Sequence, residues 1–134
     1  MELIPVLSSS VPFIWDRVLP LIERACQKGP TQDLDPDDLR QCCIEGKHQL
    51  WIVASNSIQA VAITGILDNV CEWIVFASDD PDGWKEHVPA IEAWAASMGC
   101  RKMRSYSRPG MKRVMPEGYR IKGYIFEKVL GDGQ

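Results

Sequence analysis

The sequence predicts a single α/β (α+β) domain over residues 1–134, built on a mixed, mostly antiparallel sheet of about six strands. Residues 70–78 are rich in β-branched and aromatic side chains, and apolar residues occupy both sets of alternating positions. This pattern indicates a strand that is buried on both faces. Apolar side chains at helical spacing follow from Trp84 to Met98 and predict one amphipathic helix. A short β-rich run at 102–108 comes directly after it. This order is typical of a parallel crossover packed on the sheet.

Length and charge suit one globular domain. With 134 residues and 46% hydrophobic side chains, the chain can bury a real core. The formal net charge is −3, yet residues 1–99 carry 6 basic and 15 acidic side chains (−9), whereas residues 100–134 carry 9 and 3 (+6). This cationic last quarter indicates either a solvated basic face or a site for phosphate, nucleic acid or an acidic partner.

Cysteine usage and hydropathy indicate the compartment. The five cysteines include no Cys-x-x-Cys pair and are odd in number, which argues against a disulfide framework or a zinc site and favours a reducing environment. No basic segment followed by an apolar run opens the chain, and no apolar stretch approaches membrane-spanning length. We therefore expect a cytoplasmic protein with no metal site and no membrane contact.

The first part of the chain predicts one strand and two helices. Residues 1–7 are a short apolar run that contains a proline, which is compatible with an edge strand. The hydroxyls of residues 8–10 are positioned to cap a helix, and Pro20 falls inside its pattern, where it should kink or divide the helix. Asp35 and Pro36 form a strong start for the second helix.

The middle and the end of the chain predict the remaining strands. Two β-rich runs at 49–54 and 58–67 are separated by Ser-Asn-Ser, and a second turn leads into the strand at residue 70, so three antiparallel strands form a meander. After a Pro-Gly break, residues 111–115 predict about one helical turn and residues 119–130 predict the last strand.

This order of elements resembles that of the GNAT family, the Gcn5-related N-acetyltransferases. Residues 90–99 are similar to the end of that family's long helix, and Glu117-Gly118-Tyr119 resembles its Gly-Phe signal before the closing strands. The resemblance spans nearly the whole chain and implies a GNAT-like sheet with helices on both faces. A closer likeness is to small GNAT-like proteins of tailed phages and prophages, through the Arg-Pro-Gly-Met-Lys-Arg stretch at 108–113.

The same resemblance points to the junction at residues 78–84. In the family, an Arg/Gln-x-x-Gly-x-Gly/Ala loop holds the pyrophosphate of acyl-coenzyme A. With the register set from Glu92, its three marked positions fall on Asp79, Asp82 and Trp84, and all three depart from the pattern. Carboxylates repel a pyrophosphate and an indole fills space that a glycine leaves open, so only Gly83 allows close backbone approach. We therefore expect a self-capped helix start in place of an anion site.

Candidate catalytic residues follow from the resemblance and from the residue types. The family's acid is commonly a Tyr four residues before the Gly of its Gly-Phe signal, and that position holds Val114 here. Glu72 is placed to act as a base toward an attacking amine, or it is an ordinary strand carboxylate. His87 is predicted to be a surface or capping residue. His48 has no acidic or cysteine residue near it in sequence that could form a catalytic pair. If the chain is active, the resemblance implies catalytic roles for Glu72 and Tyr119 and acetyl-coenzyme A contacts with Phe76, Ala77, Ser78, Gly83, Trp84 and Arg108.

Three functions follow, in descending order of preference. The first is a non-catalytic GNAT-like scaffold that has lost acyl-coenzyme A binding, needs no cofactor and contacts a protein partner, as a phage or prophage accessory or virion component. The second is an active N-acetyltransferase that uses acetyl-coenzyme A through an atypical loop. The third is nucleic-acid binding through the basic residues of 101–128. Neither the partner's identity nor an oligomeric state follows from the sequence.

Overall fold

A computed structural model describes residues 1–27, 34–106, 115–123, 126–128 and 130–131. A short 3-10 turn at Ser8–Ser10 follows the first strand. The strands are β1 (Glu2–Val6), β2 (His48–Ala54), β3 (Ile58–Leu67), β4 (Val70–Ser78) and β5 (Lys102–Ser105), and the helices are α1 (Val11–Cys26), α2 (Pro36–Ile44), α3 (Pro81–Lys85) and α4 (Val88–Ser97).

The five strands form one sheet in the order β1-β2-β3-β4-β5. The first three pairings are antiparallel, and β4 pairs with β5 in parallel. This confirms the mixed, mostly antiparallel sheet, with β1 at one edge. The predicted last strand at 119–130 is wrong for the part of that range that the structure describes, where no strand forms. β propensity alone does not make a strand, because a strand also needs a neighbour with which to pair.

A β-bulge in β4 lies next to the place where the described pairing with β5 ends. Val75 pairs with Ile63 and Trp73 pairs with Thr64, so Ile74 is an extra residue in β4. The pairing of β4 with β5 ends at Trp73, which is the residue before the bulge. From residue 74 onward, β4 has a strand neighbour only on its β3 side within the described residues.

Two hydrophobic cores cover the two faces of the sheet. On the first face, α1 and α2 pack against β2, β3 and β4, with Val18, Ile22 and Ile63 fully buried. On the second face, α3 and α4 contribute Trp84, Val88 and Ile91 over the other side of the same strands. This confirms the prediction of helices on both faces, and each face buries a continuous apolar layer.

The helices begin and end partly where the sequence predicts and partly elsewhere. Asp35 caps α2 as predicted, since its carboxylate accepts the Asp37 N–H at 2.9 Å. Pro20 does not divide α1, which runs without interruption from residue 11 to 26, and no serine side chain caps this helix. The single long helix predicted from Trp84 is instead α3 followed by α4. Pro89 explains the restart, because it lacks an N–H and its ring clashes with a carbonyl one turn earlier.

All five cysteines are free thiols. Cys43 is buried whereas Cys42 is partly exposed. Burial raises the pKa of Cys43 to about 12 and that of Cys71 to about 11. In the described part of the chain, no three His, Cys, Asp or Glu side chains lie close enough to hold a metal ion. No described helix has the length and apolar character needed to span a bilayer.

These buried thiols predict a loss of stability at alkaline pH. The unfolded chain releases its thiol protons near the ordinary pKa of about 8.5, whereas folded Cys71 and Cys43 hold theirs to higher pH, so the unfolded state binds fewer protons in this window. We expect the free energy of unfolding to fall as pH rises from about 8.5 through these folded pKa values. Urea unfolding measured against pH tests this. A Cys43→Ala, Cys71→Ala variant should show a shallower fall, and an equal slope would contradict the prediction.

Candidate functional site

The start of α3, directly after β4, is capped by a carboxylate from the same segment of the chain. Asp80 is the N-cap of α3, and its side chain accepts the Gly83 N–H at 3.1 Å. The Ser78 hydroxyl accepts the Asp80 N–H at 3.0 Å and holds the turn from the other side. A Cβ on Gly83 would lie 2.6 Å from Asp80 Oδ2, so any other residue there would displace the capping carboxylate. The prediction of a self-capped helix start is therefore confirmed.

Asp79 is engaged by a residue of the opposite face. Arg24, in the last turn of α1, donates to the Asp79 carboxylate at 2.8 Å. Both side chains are at least half exposed, so the pair contributes little to stability. It nevertheless places a carboxylate, neutralised by an arginine from α1, at the position that the resemblance assigns to the loop's Arg or Gln.

Trp84 packs on β4 next to the last described pair of β4 with β5. Only 6% of the Trp84 side chain is exposed. Its ring lies 4.9 Å from that of Phe76 in a tilted arrangement and 6.0 Å from that of Trp73 edge-on, measured between centroids. These distances are typical of favourable aromatic pairs. The indole thus fills the space beside the bulged strand.

A half-buried tyrosine, Tyr119, connects β4 and α4 on the same face. Trp73 Nε1 donates to the Tyr119 hydroxyl at 3.1 Å, and that hydroxyl donates to Glu92 Oε2 of α4 at 2.8 Å. Burial raises the pKa of Tyr119 well above its usual range, and the Glu92 carboxylate adds to the rise while the Trp73 hydrogen bond opposes it. The phenol is therefore neutral, and both of its hydrogen-bonding roles are already used within the protein. The roles of Trp73 and Glu92 were not predicted, because nothing in their sequence spacing links them to residue 119.

This chain of hydrogen bonds predicts a measurable cost for one substitution. Tyr119→Phe should lower the free energy of unfolding by about 1–3 kcal/mol, because it leaves the Trp73 N–H and the Glu92 carboxylate without their partner. Urea unfolding tests the value. Tyr106→Phe is the matched control, since Tyr106 is exposed and should change stability by less than about 0.5 kcal/mol. Equal effects of the two substitutions would contradict the assigned contact.

Glu72 lies on the other face of β4 from Tyr119. Gly65 of β3 pairs with Glu72, and a Cβ on Gly65 would meet Ile74, which packs in the α1 and α2 core. Side chains of paired residues share a face, so Glu72 points to the α1 and α2 side, whereas Trp73 and Tyr119 lie on the α4 side. The structure therefore does not bring together the two residues named as catalytic candidates.

The surroundings of Glu72 contain a histidine that the sequence did not connect to it. His48, Gly65, Glu72 and Arg104 are paired in turn across four strands. Because Gly65 has no side chain, the His48 ring lies over β3 in the direction of Glu72, 2.9 Å from where a Cβ would be. Glu72 itself is half-buried and makes no hydrogen bond or ion pair with another described residue.

The other predicted site residues are distributed as follows. Phe76 packs beneath Trp84, whereas Ala77 is buried in the core on the α1 side. His87 is the N-cap residue of α4 but does not cap it through its side chain, which is largely buried. Its Nε2 lies 3.3 Å from Glu86 Oε1 without forming a hydrogen bond. Arg108 falls outside the described residues, so its contact with acetyl-coenzyme A stays a prediction.

No family model matches the sequence, and no curated protein matches it. Solved structures do resemble it over almost its whole length. A GNAT family acetyltransferase from Staphylococcus aureus has a TM-score of 0.66 at 14% identity, covering 97% of this chain and 100% of that one. An aminoglycoside acetyltransferase from an uncultured soil metagenomic sample, in complex with sisomicin, has a TM-score of 0.65 at 10% identity and 96% coverage of both chains. An aminoglycoside 6'-N-acetyltransferase from Acinetobacter baumannii has a TM-score of 0.61 at 14% identity, covering 97% and 99%. The chain therefore has the GNAT acetyltransferase fold.

Proposed function

We propose that this chain is a GNAT-like protein that does not bind acyl-coenzyme A and works as a non-catalytic scaffold through contact with a protein partner. The observation that carries the proposal is the hydrogen bond from the Gly83 N–H to the Asp80 carboxylate. A backbone N–H that would have to meet a pyrophosphate is already bound to an internal anion. An accessory or virion-associated role in a tailed phage or prophage is the setting that the sequence resemblance supports.

Electrostatics support the loss of cofactor binding. Asp79 and Asp80 lie side by side at the junction, and each carboxylate about 4 Å from a phosphate oxygen would cost roughly 1 kcal/mol in water and several times that in a partly buried site. Arg24 already neutralises Asp79, so it is not available to the phosphate without leaving that carboxylate unpaired. The buried indole of Trp84 adds a steric obstacle.

The arrangement of candidate catalytic groups supports the same proposal. An acid and a base that act on one substrate must both come within hydrogen-bond reach of it. Glu72 and Tyr119 lie on opposite faces of β4, and the Tyr119 hydroxyl is occupied by Trp73 and Glu92. A tyrosine held in this way stabilises the packing of α4 against the sheet.

Isothermal titration calorimetry with acetyl-coenzyme A tests the proposal. We expect no binding heat with the unmodified chain, and a micromolar Kd would overturn the loss of cofactor binding. The Asp79→Asn, Asp80→Asn variant is the matched comparison, because it removes two charges while keeping side chains of the same size. A gain of coenzyme A binding in that variant would identify the carboxylates as what excludes the cofactor.

An active N-acetyltransferase is the second candidate, and one observation favours it. The pairing of β4 with β5 ends at Trp73, so the sheet opens beside the bulge within the described residues. In this case Glu72 would act as the base, and residues 76–78, Gly83 and Trp84 would contact acetyl-coenzyme A. Protection of the amides of residues 78–84 from hydrogen exchange by coenzyme A is the required result. Unchanged exchange at saturating cofactor would count against this candidate.

A further inference from the structure

A pocket of about 130 Å³ lies between the end of α4 and the start of β5, away from the β4 and α3 junction. Ala95 and Met103 contribute apolar surface, and Arg101 and Lys102 stand at the pocket with exposed side chains. Met98, 59% exposed, follows the last turn of α4. The volume is of the size of one large aliphatic side chain, so the pocket suits a single apolar anchor.

The residues that line this pocket carry an excess of positive charge. Along β5, Met103 packs into the core on the α4 side, whereas Lys102 and Arg104 alternate with it and are exposed. Neither they nor Arg101 form an ion pair with any residue in the described ranges. Arg101 and Lys102 therefore place two exposed cations at one apolar depression, whereas Arg104 lies on the other face of the sheet, and the field of the two cations favours an anionic partner.

The side chains around the pocket favour a peptide over a nucleic acid. Glu92 also lines the pocket and Arg104 lies on the other face of the sheet beside Glu72, so among the described residues the positive charge at the pocket is limited to Arg101 and Lys102. Two cations meet only a short anionic segment, whereas nucleic-acid binding rests on several phosphate contacts along a backbone. Of the described residues next to β5, Tyr106 is the exposed aromatic one, and one ring provides little of the stacking surface that single strands use.

We propose that this corner of α4 and β5, formed by residues 95–104, is where the scaffold binds its protein partner, and that the bound segment is acidic with one apolar side chain. The inference rests on the proposed function, since it names the partner chemistry of the scaffold. The apolar side chain enters the pocket while acidic residues on either side meet Arg101 and Lys102. This follows the usual arrangement of an apolar anchor within a charged rim.

Fluorescence anisotropy with the whole chain tests the proposal, using a short labelled peptide of glutamates with one central leucine. We expect saturable binding that weakens with salt, and a peptide with alanine in place of leucine should bind less tightly. Arg101→Glu, Lys102→Glu should weaken binding about tenfold, because two attractive contacts become repulsive. The matched control is Arg17→Glu, Lys47→Glu, which makes the same change of charge on the α1 and α2 side and should leave binding unchanged.

A second variant tests the pocket itself. Ala96 lines the pocket and is exposed on α4, so Ala96→Trp should fill the depression without disturbing the core and should abolish the preference for leucine over alanine. The proposal is overturned if neither peptide binds, if both pairs of charge reversals weaken binding equally, or if Ala96→Trp keeps the leucine preference. Tighter binding of single-stranded RNA, lost in the Arg101→Glu, Lys102→Glu variant, would also overturn it in favour of a nucleic-acid surface.

Acetyl-coenzyme A in the same assay separates the two proposals. Absence of peptide binding together with absence of cofactor binding removes the peptide surface and leaves the non-catalytic scaffold standing. Micromolar binding of acetyl-coenzyme A overturns the scaffold whether or not the peptide binds.

Discussion

Replacing Trp84 with alanine is expected to lower the free energy of unfolding by about 3–5 kcal/mol. The indole is almost fully buried between α3 and β4 and packs against the rings of Phe76 and Trp73. Removing the indole therefore leaves a cavity against these two rings in the core on the α4 side. A domain stable by about 5–15 kcal/mol would lose a large part of that margin.

Urea unfolding followed by far-ultraviolet circular dichroism measures this loss, since it does not depend on tryptophan fluorescence. Met98→Ala is a suitable control, because Met98 is exposed and the substitution should cost less than about 0.5 kcal/mol. A cost below about 1 kcal/mol for Trp84→Ala would mean that the indole is not packed on β4. If the variant remains folded, titration with acetyl-coenzyme A also tests whether the Trp84 indole excludes the cofactor.

Ile22→Ala is expected to cost about 2–5 kcal/mol through the other core. Ile22 lies on α1 with no exposed surface and belongs to the cluster that joins α1 and α2 to the first face of the sheet. α1 crosses β3 and β4 and contributes several of the largest buried side chains, so a cavity there loosens the helix that also carries Arg24.

Phe13→Ala on the same helix provides the comparison. Phe13 is 88% exposed, so its removal should change stability by less than about 0.5 kcal/mol even though it deletes more atoms. Chemical denaturation of both variants under identical conditions gives the difference directly. Similar losses for Ile22→Ala and Phe13→Ala would show that α1 presents a different face to the sheet.

The chain shares its fold with the acetyltransferases that it resembles in structure. A common fold does not carry a common reaction, because chemistry depends on a few positioned side chains. Here the Asp80 carboxylate accepts the Gly83 N–H at the junction of β4 and α3, and the buried Trp84 indole packs on β4. The α4 and β5 corner instead offers exposed charge around an apolar pocket.

Much of the local structure was predictable from the sequence. The Asp35-Pro36 start of α2 and the acidic start of α3 follow from capping chemistry within a few residues, and both are confirmed. The meander and the parallel crossover follow from the spacing of apolar runs and turns. The acidic junction could also be recognised as unlike a phosphate-binding loop before any coordinates were known.

The tertiary structure alone decided which of these residues meet. Alternation along a strand places Glu72 and Trp73 on opposite faces, but only the pairing of β4 with its neighbours and the helices above it assigns each face to a helix. The contact of Tyr119 with Glu92 and that of Arg24 with Asp79 join residues far apart in the chain. Such contacts depend on the topology of the whole sheet, whereas caps and turns depend on atoms a few bonds away.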